Sequence, residues 1–399
     1  MPKRTSSFSE DIDAVDQWNR EDAADLERPQ GLQKYEIVVA SRDWTVETIV
    51  RQIEQKNIDL DPAFQRRNAW RDHRRSRLIE SFVLGFPVPQ LVLAENPRLR
   101  GSFIVIDGKQ RLLTIASLYL KDYRGYWNEP RFSGLSVLKE LNDITLDAFL
   151  GDDDYSKDRR QLSNADIRTT VISGFRDEDV LYDIFYRINT GSVPLSSQEL
   201  RQVLNRGEFA RFLLETTGKQ NPLWHVLGIE NPDPRLRDVE LLLRLIALRR
   251  FSDEYRGNLK AFLDDSMKKL NKSWRGEQLD VEHLTGEIFE ATEAAIKIFG
   301  PDVGRRLKGG RFDRALNRAL FEVQAYYLSF PAIRAAAVKN KAAVTQAAKQ
   351  LFPNHEFSAS IESTTKSIGN YRTRFGAYQR MLEKTLGIKV PGLEIALQK

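Results

Sequence analysis

The chain has no cysteine in its 399 residues. That excludes disulfides, thiolate nucleophiles and zinc–thiolate centres, and it fits a reducing compartment. Histidine is scarce too. His73, His225, His283 and His355 are far apart, and none forms an HExxH pair or a zinc-ligand set with nearby acids. No Gly-x-Ser-x-Gly elbow is present, so a serine-hydrolase reading has no support. No apolar run reaches the ~18 residues of a membrane span. Met1-Pro2-Lys3-Arg4 leads into polar sequence rather than a leader's apolar core. The expectation is a cytoplasmic protein with no membrane partner.

What the sequence does hold is a globular composition, 41% hydrophobic and 10% aromatic, at a length that calls for two or three structural units. Charge is nearly balanced overall, 61 Lys and Arg against 56 Asp and Glu, so its distribution says more than its total. Met1–Gln30 has eight acids against four bases and almost no aliphatic residues. It is expected to be a disordered acidic tail. Arg66–Arg77 is the opposite, with six arginines and one aspartate.

The stretch around which the rest is organised is Ser102–Lys121, SFIVIDGKQRLLTIASLYLK. Phe103–Ile106 reads as a short buried strand, Asp107-Gly108 as a turn, and Gln110 onward as a helix apolar almost all round. A helix entered from a tight turn points free backbone N–H groups at whatever lies above it, which favours anions such as phosphates. Arg111 is out of place there, because a cation in the first helical turn opposes the dipole. It needs a bound anion or an acidic partner, and Asp107 is four residues away. The stretch is not a P-loop, since Gly108-Lys109 is followed by Gln110 rather than Ser or Thr.

Along the chain, Lys34–Ala40 and Gln90–Ala94 read as strands. Thr45–Gln55 reads as a helix capped by Thr45, and Asp72–Leu84 as a helix whose N-terminal half is crowded by Arg71, Arg74, Arg75 and Arg77. Those arginines are either a solvated face or a contact to phosphates. Asp122–Asn142 reads as loop, Gly151–Asp154 as an acidic surface turn, and Ile167–Ser173 as a strand. Asp177–Ile188 reads as an amphipathic helix. Ser196 and Glu199 form a capping-box pattern. Beyond Glu208 strand signals nearly vanish. Helices are expected at Asp238–Arg250, Asn258–Leu270, Val281–Ile298, Asp313–Leu328 and Ile333–Leu351. Ser358–Leu386 carries a heptad-spaced stripe, Ile361, Ile368, Phe375 and Leu382, read as core rather than coiled coil. Pro232-Asp233 with Glu240 is a poor metal-nuclease match, because the position of the closing Lys holds Leu242.

Several of these pieces occur in a fixed order. They are Pro62-x-Phe64-Gln65-Arg66-x-x-x-Trp70, Leu78-Ile79-Glu80-Ser81 through Gly85-x-Pro87-x-Pro89, Ile106–Leu112, and Phe185-x-x-Ile188-Asn189 with Leu195-Ser196 and Glu199-Leu200. Together they resemble the N-terminal domain of the GmrSD-type modification-dependent restriction enzymes, over about Lys34–Leu204. The resemblance implies a ParB/sulfiredoxin-like mixed α/β domain. The expected class is α+β, with a tail over 1–30, that domain over 31–206 and an all-helical domain over 207–399.

In that family the corresponding motif binds and hydrolyses a nucleoside triphosphate, and the activity gates DNA cleavage against phage. Carried over, Asp107 and Arg111 would be catalytic, with Asp107 holding Mg2+ or orienting water. Gly108, Lys109 and Gln110 would lie against the phosphates, and Gln65, Arg66 and Asn189 would complete the pocket. Lys109 departs from the family, which has Gln there. No His-Asn-His-type nuclease pattern is found in Glu208–Lys399. The leading expectation is an NTP-binding, NTP-hydrolysing regulatory component of a DNA-targeting defence system, with a homodimer or partner contact through the helical half. One rival is a non-enzymatic DNA-binding module using Arg67, Arg71, Arg74 and Arg75 with arginines of the C-terminal helix. Another is a stand-alone metal-dependent DNA nickase using Asp107.

Overall fold

The computed structural model describes residues 37–58, 60, 70–96, 99–175, 180–181, 184, 196–362 and 367–395. The acidic tail, Gln65, Arg66, Arg67, Asn189 and most of the helix expected at Asp177–Ile188 lie outside them. The chain divides into two units between Val203 and Leu204; the sequence reading set the division after Arg206. The class is α+β, a small mixed sheet with helices followed by a helical C-terminal part.

The N-terminal unit is built on four strands, β1 (Val38–Thr45), β2 (Leu91–Glu95), β3 (Phe103–Asp107) and β4 (Asp166–Ser173), in the order β1-β4-β2-β3. β4 runs antiparallel to β1 and parallel to β2, and β2 and β3 are antiparallel. The first strand therefore lies further along the chain than the expected Lys34–Ala40. Thr45 ends it and caps α1 (Val46–Glu54), its hydroxyl accepting from the Thr48 N–H at 3.1 Å. Val46, Ile49 and Ile53 line the buried face of α1, as the helical spacing requires.

α2 (Asp72–Val83) and α3 (Lys109–Tyr119) pack into the same core, where Leu78, Ile79, Phe82, Leu112, Leu113 and Ile115 meet. α3 is buried from Arg111 to Leu118, and the hydroxyls of Thr114 and Ser117 are satisfied within the core. Thr114 Oγ1 donates to the Gln110 carbonyl, and Ser117 Oγ accepts from Trp127 Nε1 at 2.9 Å. The segment after α3 is less irregular than its Tyr- and Gly-rich sequence implies. It contains 3-10 turns, and two short helices, α4 (Leu146–Gly151) and α5 (Ser156–Asn164), precede β4. Glu80 holds it down. Its buried carboxylate accepts from the N–H groups of Val137 and Leu138 at 2.8 and 2.9 Å.

α6 (Ser197–Leu204) opens with the expected capping box: Ser196 N–H donates to Glu199 at 2.6 Å and Glu199 N–H to Ser196 Oγ at 3.1 Å. In the C-terminal unit α7 (Glu208–Thr217), α8 (Pro222–Leu227) and α9 (Arg237–Phe251) follow. The helices expected at Asn258–Leu270 and Val281–Ile298 are one 41-residue helix, α10 (Leu259–Phe299), because no proline or cap interrupts the polar middle. A two-stranded hairpin, β5 (Leu307–Lys308) and β6 (Arg311–Phe312), precedes α11 (Arg318–Leu328).

The segment read as one helix over Ile333–Leu351 is two, α12 (Pro331–Lys339) and α13 (Lys341–Lys349), broken at Asn340. α14 (His355–Glu362) and α15 (Ile368–Leu386) carry the heptad stripe. Ile361, Ile368, Phe375 and Leu382 are all buried, with Tyr371 and Tyr378 beside them. The stripe is core. Among the described residues no helix is long and apolar enough to cross a membrane.

Candidate nucleotide site

The strand–turn–helix unit forms as its sequence dictates, with one added feature. Val92 pairs with Asp107 but Leu93 with Val105, so β3 carries a bulge at Ile106. A bulge re-aims the residues beside it, and here it falls next to Asp107, at the end of the strand. Gly108 then takes a left-handed conformation, φ 96°, and caps α3. A Cβ there would lie 2.3 Å from Leu91 Cδ2 and 3.1 Å from Arg111 Nη2. Glycine is required both by the φ and by the closeness of these two side chains.

Arg111 finds the partner its position calls for. Nη2 donates to Asp107 Oδ2 at 2.7 Å. The guanidinium is nearly buried, 11% exposed, whereas the Asp107 side chain is 29% exposed. The pair leaves chemistry unused. Arg111 Nε and Gln110 Oε1 are buried without hydrogen-bond partners among the described residues. The first turn of α3 contains no acid and its glycine cap offers no side-chain oxygen. A buried N–H donor with no acceptor is costly, so an anion at this helix start would satisfy both the donor and the dipole.

Asp107, Gly108, Lys109, Gln110 and Arg111 thus stand together by virtue of adjacency. Gln65, Arg66 and Asn189, the other expected members of the pocket, lie outside the described residues. No group of three His, Asp or Glu side chains suited to a cation occurs among the described residues. Asp107 offers one carboxylate there, too few ligands to hold a cation by itself.

The arginines of α2 divide. Arg71 and Arg74 are exposed, with Arg74 stacked 4.5 Å over Trp70. Arg75 is wholly buried, which removes it from the surface face assigned to it by sequence. It donates from Nη1 to Asp72 at 2.8 Å and lies 5.7 Å over the Trp127 ring. Burial pulls its pKa below the usual arginine value, against the raising effect of Asp72. Asp72 also accepts from the N–H groups of Asn128 and Glu129. The lone acid of the basic stretch is therefore turned inward and does not neutralise Arg71 or Arg74. Arg67 lies outside the described residues.

The C-terminal candidates are structural. Asp233 is buried and accepts from the Arg235 and Arg237 backbone N–H groups and from Arg237 Nε, capping the start of α9. Glu240 pairs with Arg244 and Arg318. Arg374, one of the arginines that the DNA-binding reading drew on, is buried against Glu322. A cavity lined by Phe299, Arg305, Phe312 and Tyr378 belongs to this unit, not to the one that holds Asp107.

Sequence reasoning missed the bulge at Ile106, the contact of Gly108 with Leu91 and the anchoring by Glu80. Only the last had a signal, an acid on the apolar side of α2.

Residues 46–204 match the family described as GmrSD restriction endonuclease, N-terminal domain. That segment is a GmrSD-type N-terminal domain. No curated protein and no solved structure matches the chain.

Proposed function

We propose that this chain, carrying a GmrSD-type N-terminal domain, is a nucleoside-triphosphate-binding and -hydrolysing regulator of a DNA-targeting restriction system. The observation that carries the reading is the Arg111 guanidinium. It is nearly buried, fixed by Asp107 at 2.7 Å, and holds an unused Nε donor at an acid-free helix start. A phosphate oxygen placed there would accept from Nε and face the N-terminal end of α3. Lys109 and Gln110 flank the phosphates.

For hydrolysis, water attacks the terminal phosphorus and the bond to the bridging oxygen breaks. The water proton passes to solvent or phosphate, and charge grows on the leaving oxygen. Arg111 stabilises that charge as a fixed cation, which is the main demand of phosphoryl transfer. Asp107 has Oδ2 committed to Arg111 and Oδ1 open among the described residues, so Oδ1 is the atom that would orient the water or hold a Mg2+. A bound Mg2+ would supply charge neutralisation on the phosphates.

The test is thermal stabilisation by each nucleoside triphosphate, with and without Mg2+, in the wild type and in Arg111→Ala. Ligand at 100 times its Kd adds about 2.7 kcal/mol. A shift for one nucleotide that vanishes in the variant supports the site, and no shift with any of them defeats it. Asp107→Ala should then abolish turnover with the fold intact.

A second reading, a non-enzymatic DNA-binding module, draws on the exposed Arg71 and Arg74 at the start of α2. In that case affinity for duplex falls steeply with salt and survives loss of Asp107.

A further inference from the structure

The β5–β6 hairpin is two residues per strand, closed by Gly309-Gly310. Both glycines have positive φ, 58° and 78°, as the tight two-residue hairpin turns require. Its root is anchored three ways. Leu307 pairs with Phe312, Asp313 N–H donates to the Arg306 carbonyl at 2.8 Å, and Arg306 Nε donates to Asp313 Oδ2 at 2.7 Å. Arg306 also reaches Glu362 at 3.1 Å, so its charge is neutralised at the base.

The tip is different. Lys308 and Arg311 face each other directly across the two strands and both are exposed. Like charges at directly opposed positions repel and destabilise a ladder. Among the described residues neither side chain has an acidic partner. A third cation, Lys349, sits 5.7 Å over the Phe312 ring at the root. Nothing lies within 4 Å of where a Cβ would stand at Gly309 or Gly310, so the tip's backbone is open to close approach. A short, anchored, doubly cationic ribbon is unfavourable by itself and favourable against a row of negative charges.

We propose that this hairpin is a contact for the sugar–phosphate backbone of double-stranded DNA, with Lys308 and Arg311 each neutralising one phosphate. Opposed side chains, about 5 Å apart at Cβ, extend on flexible stems to neighbouring phosphates. A two-stranded ribbon is also narrow enough to enter a DNA groove. The contact reads no bases, so it contributes affinity rather than sequence preference. The choice of DNA among polyanions rests on the restriction reading above; the charge arrangement does not.

The experiment is fluorescence anisotropy with the full chain and a labelled 30-base-pair duplex, across about 50–300 mM salt, without nucleotide. The Lys308→Gln/Arg311→Gln variant should lower the slope of log affinity against log salt by about two. It should weaken binding equally on duplexes of unrelated sequence. Its melting temperature should hold or rise, because an opposed pair of like charges is removed. An unchanged slope in this variant, with the slope lost instead in Arg71→Gln/Arg74→Gln, overturns the proposal. So does a wild type that binds no duplex at 50 mM salt, or one that binds polyphosphate but no duplex. The nucleotide reading is judged by melting shifts, so either idea can fail while the other stands.

Discussion

Glu322 Oε1 accepts from Arg244 Nη1 at 2.7 Å, joining α11 to α9, and both side chains are 5% exposed or less. The pair belongs to a larger group. Arg244 also bonds Glu240, Arg318 meets Glu240, and Glu322 takes Arg374 at 3.3 Å and the Tyr371 hydroxyl at 3.1 Å. Burial alone pushes the Glu322 carboxyl up, but Arg244 and Arg374 outweigh it and hold it below its usual 4.5. A depressed carboxyl contributes stability that is present above the unfolded value and lost as pH falls through the folded one. Stability should therefore decline below about pH 4.5. Glu322→Gln should cost about 3–5 kcal/mol at neutral pH, because buried arginines lose their counter-charge, and should flatten the acid limb. Urea unfolding from pH 3 to 7 reads both, and an unchanged acid limb in the variant would rule this account out.

Gly108→Ala tests the tightness of the proposed site. The left-handed φ costs about 1–2 kcal/mol for a residue with a Cβ, and the methyl would displace Leu91 Cδ2 from 2.3 Å and crowd the Arg111 guanidinium. The variant should unfold at lower urea by that amount and lose the nucleotide-induced melting shift. A folded variant with the full shift would show that phosphate does not approach Gly108.

Glu80 governs the order of the segment after α3. Its carboxylate accepts from two adjacent backbone N–H groups at 2.8 and 2.9 Å. Charge-assisted bonds of this kind contribute about 1.5–3 kcal/mol each. Glu80→Ala should raise amide exchange at Val137 and Leu138 far more than in β4. Exchange rising equally everywhere would point to global loss of stability rather than to a local anchor.

These cases show which features the sequence carries plainly. Thr45 and Ser196 cap helices through their own hydroxyls, three residues from the N–H they satisfy, so a local pattern suffices. Asp107 and Arg111 lie four apart across the strand–helix turn and are legible as a pair for the same reason. Arg75 was not. Its burial depends on Trp127 and on Asp72 turning toward Asn128 and Glu129, partners more than fifty residues away. The sequence of α10 suggests two helices because its exposed middle breaks the apolar rhythm, though nothing there breaks the backbone. The β5–β6 hairpin had a signal, Gly309-Gly310, but strands of two residues are too short to show alternation.

Lys109 stands where the resemblance implies Gln, and its role in the proposed site can be separated from that of Arg111. Asp107 Oδ2 is taken by Arg111 at 2.7 Å, so Arg111 already supplies the counter-charge that Lys109 would otherwise compete to give. In the proposed site an ammonium in the first turn of α3 would add a point charge to the phosphates. Lys109→Gln, which places there the residue that the resemblance implies, should weaken nucleotide binding about tenfold, or ~1.4 kcal/mol, and reduce its salt dependence. Turnover at saturation should persist, because a uniform binding contribution changes KM and not kcat. Calorimetric titration at two salt concentrations, paired with phosphate-release rates at saturating nucleotide, decides it. Loss of kcat with binding unchanged would move Lys109 from anchoring the ground state to stabilising the transition state.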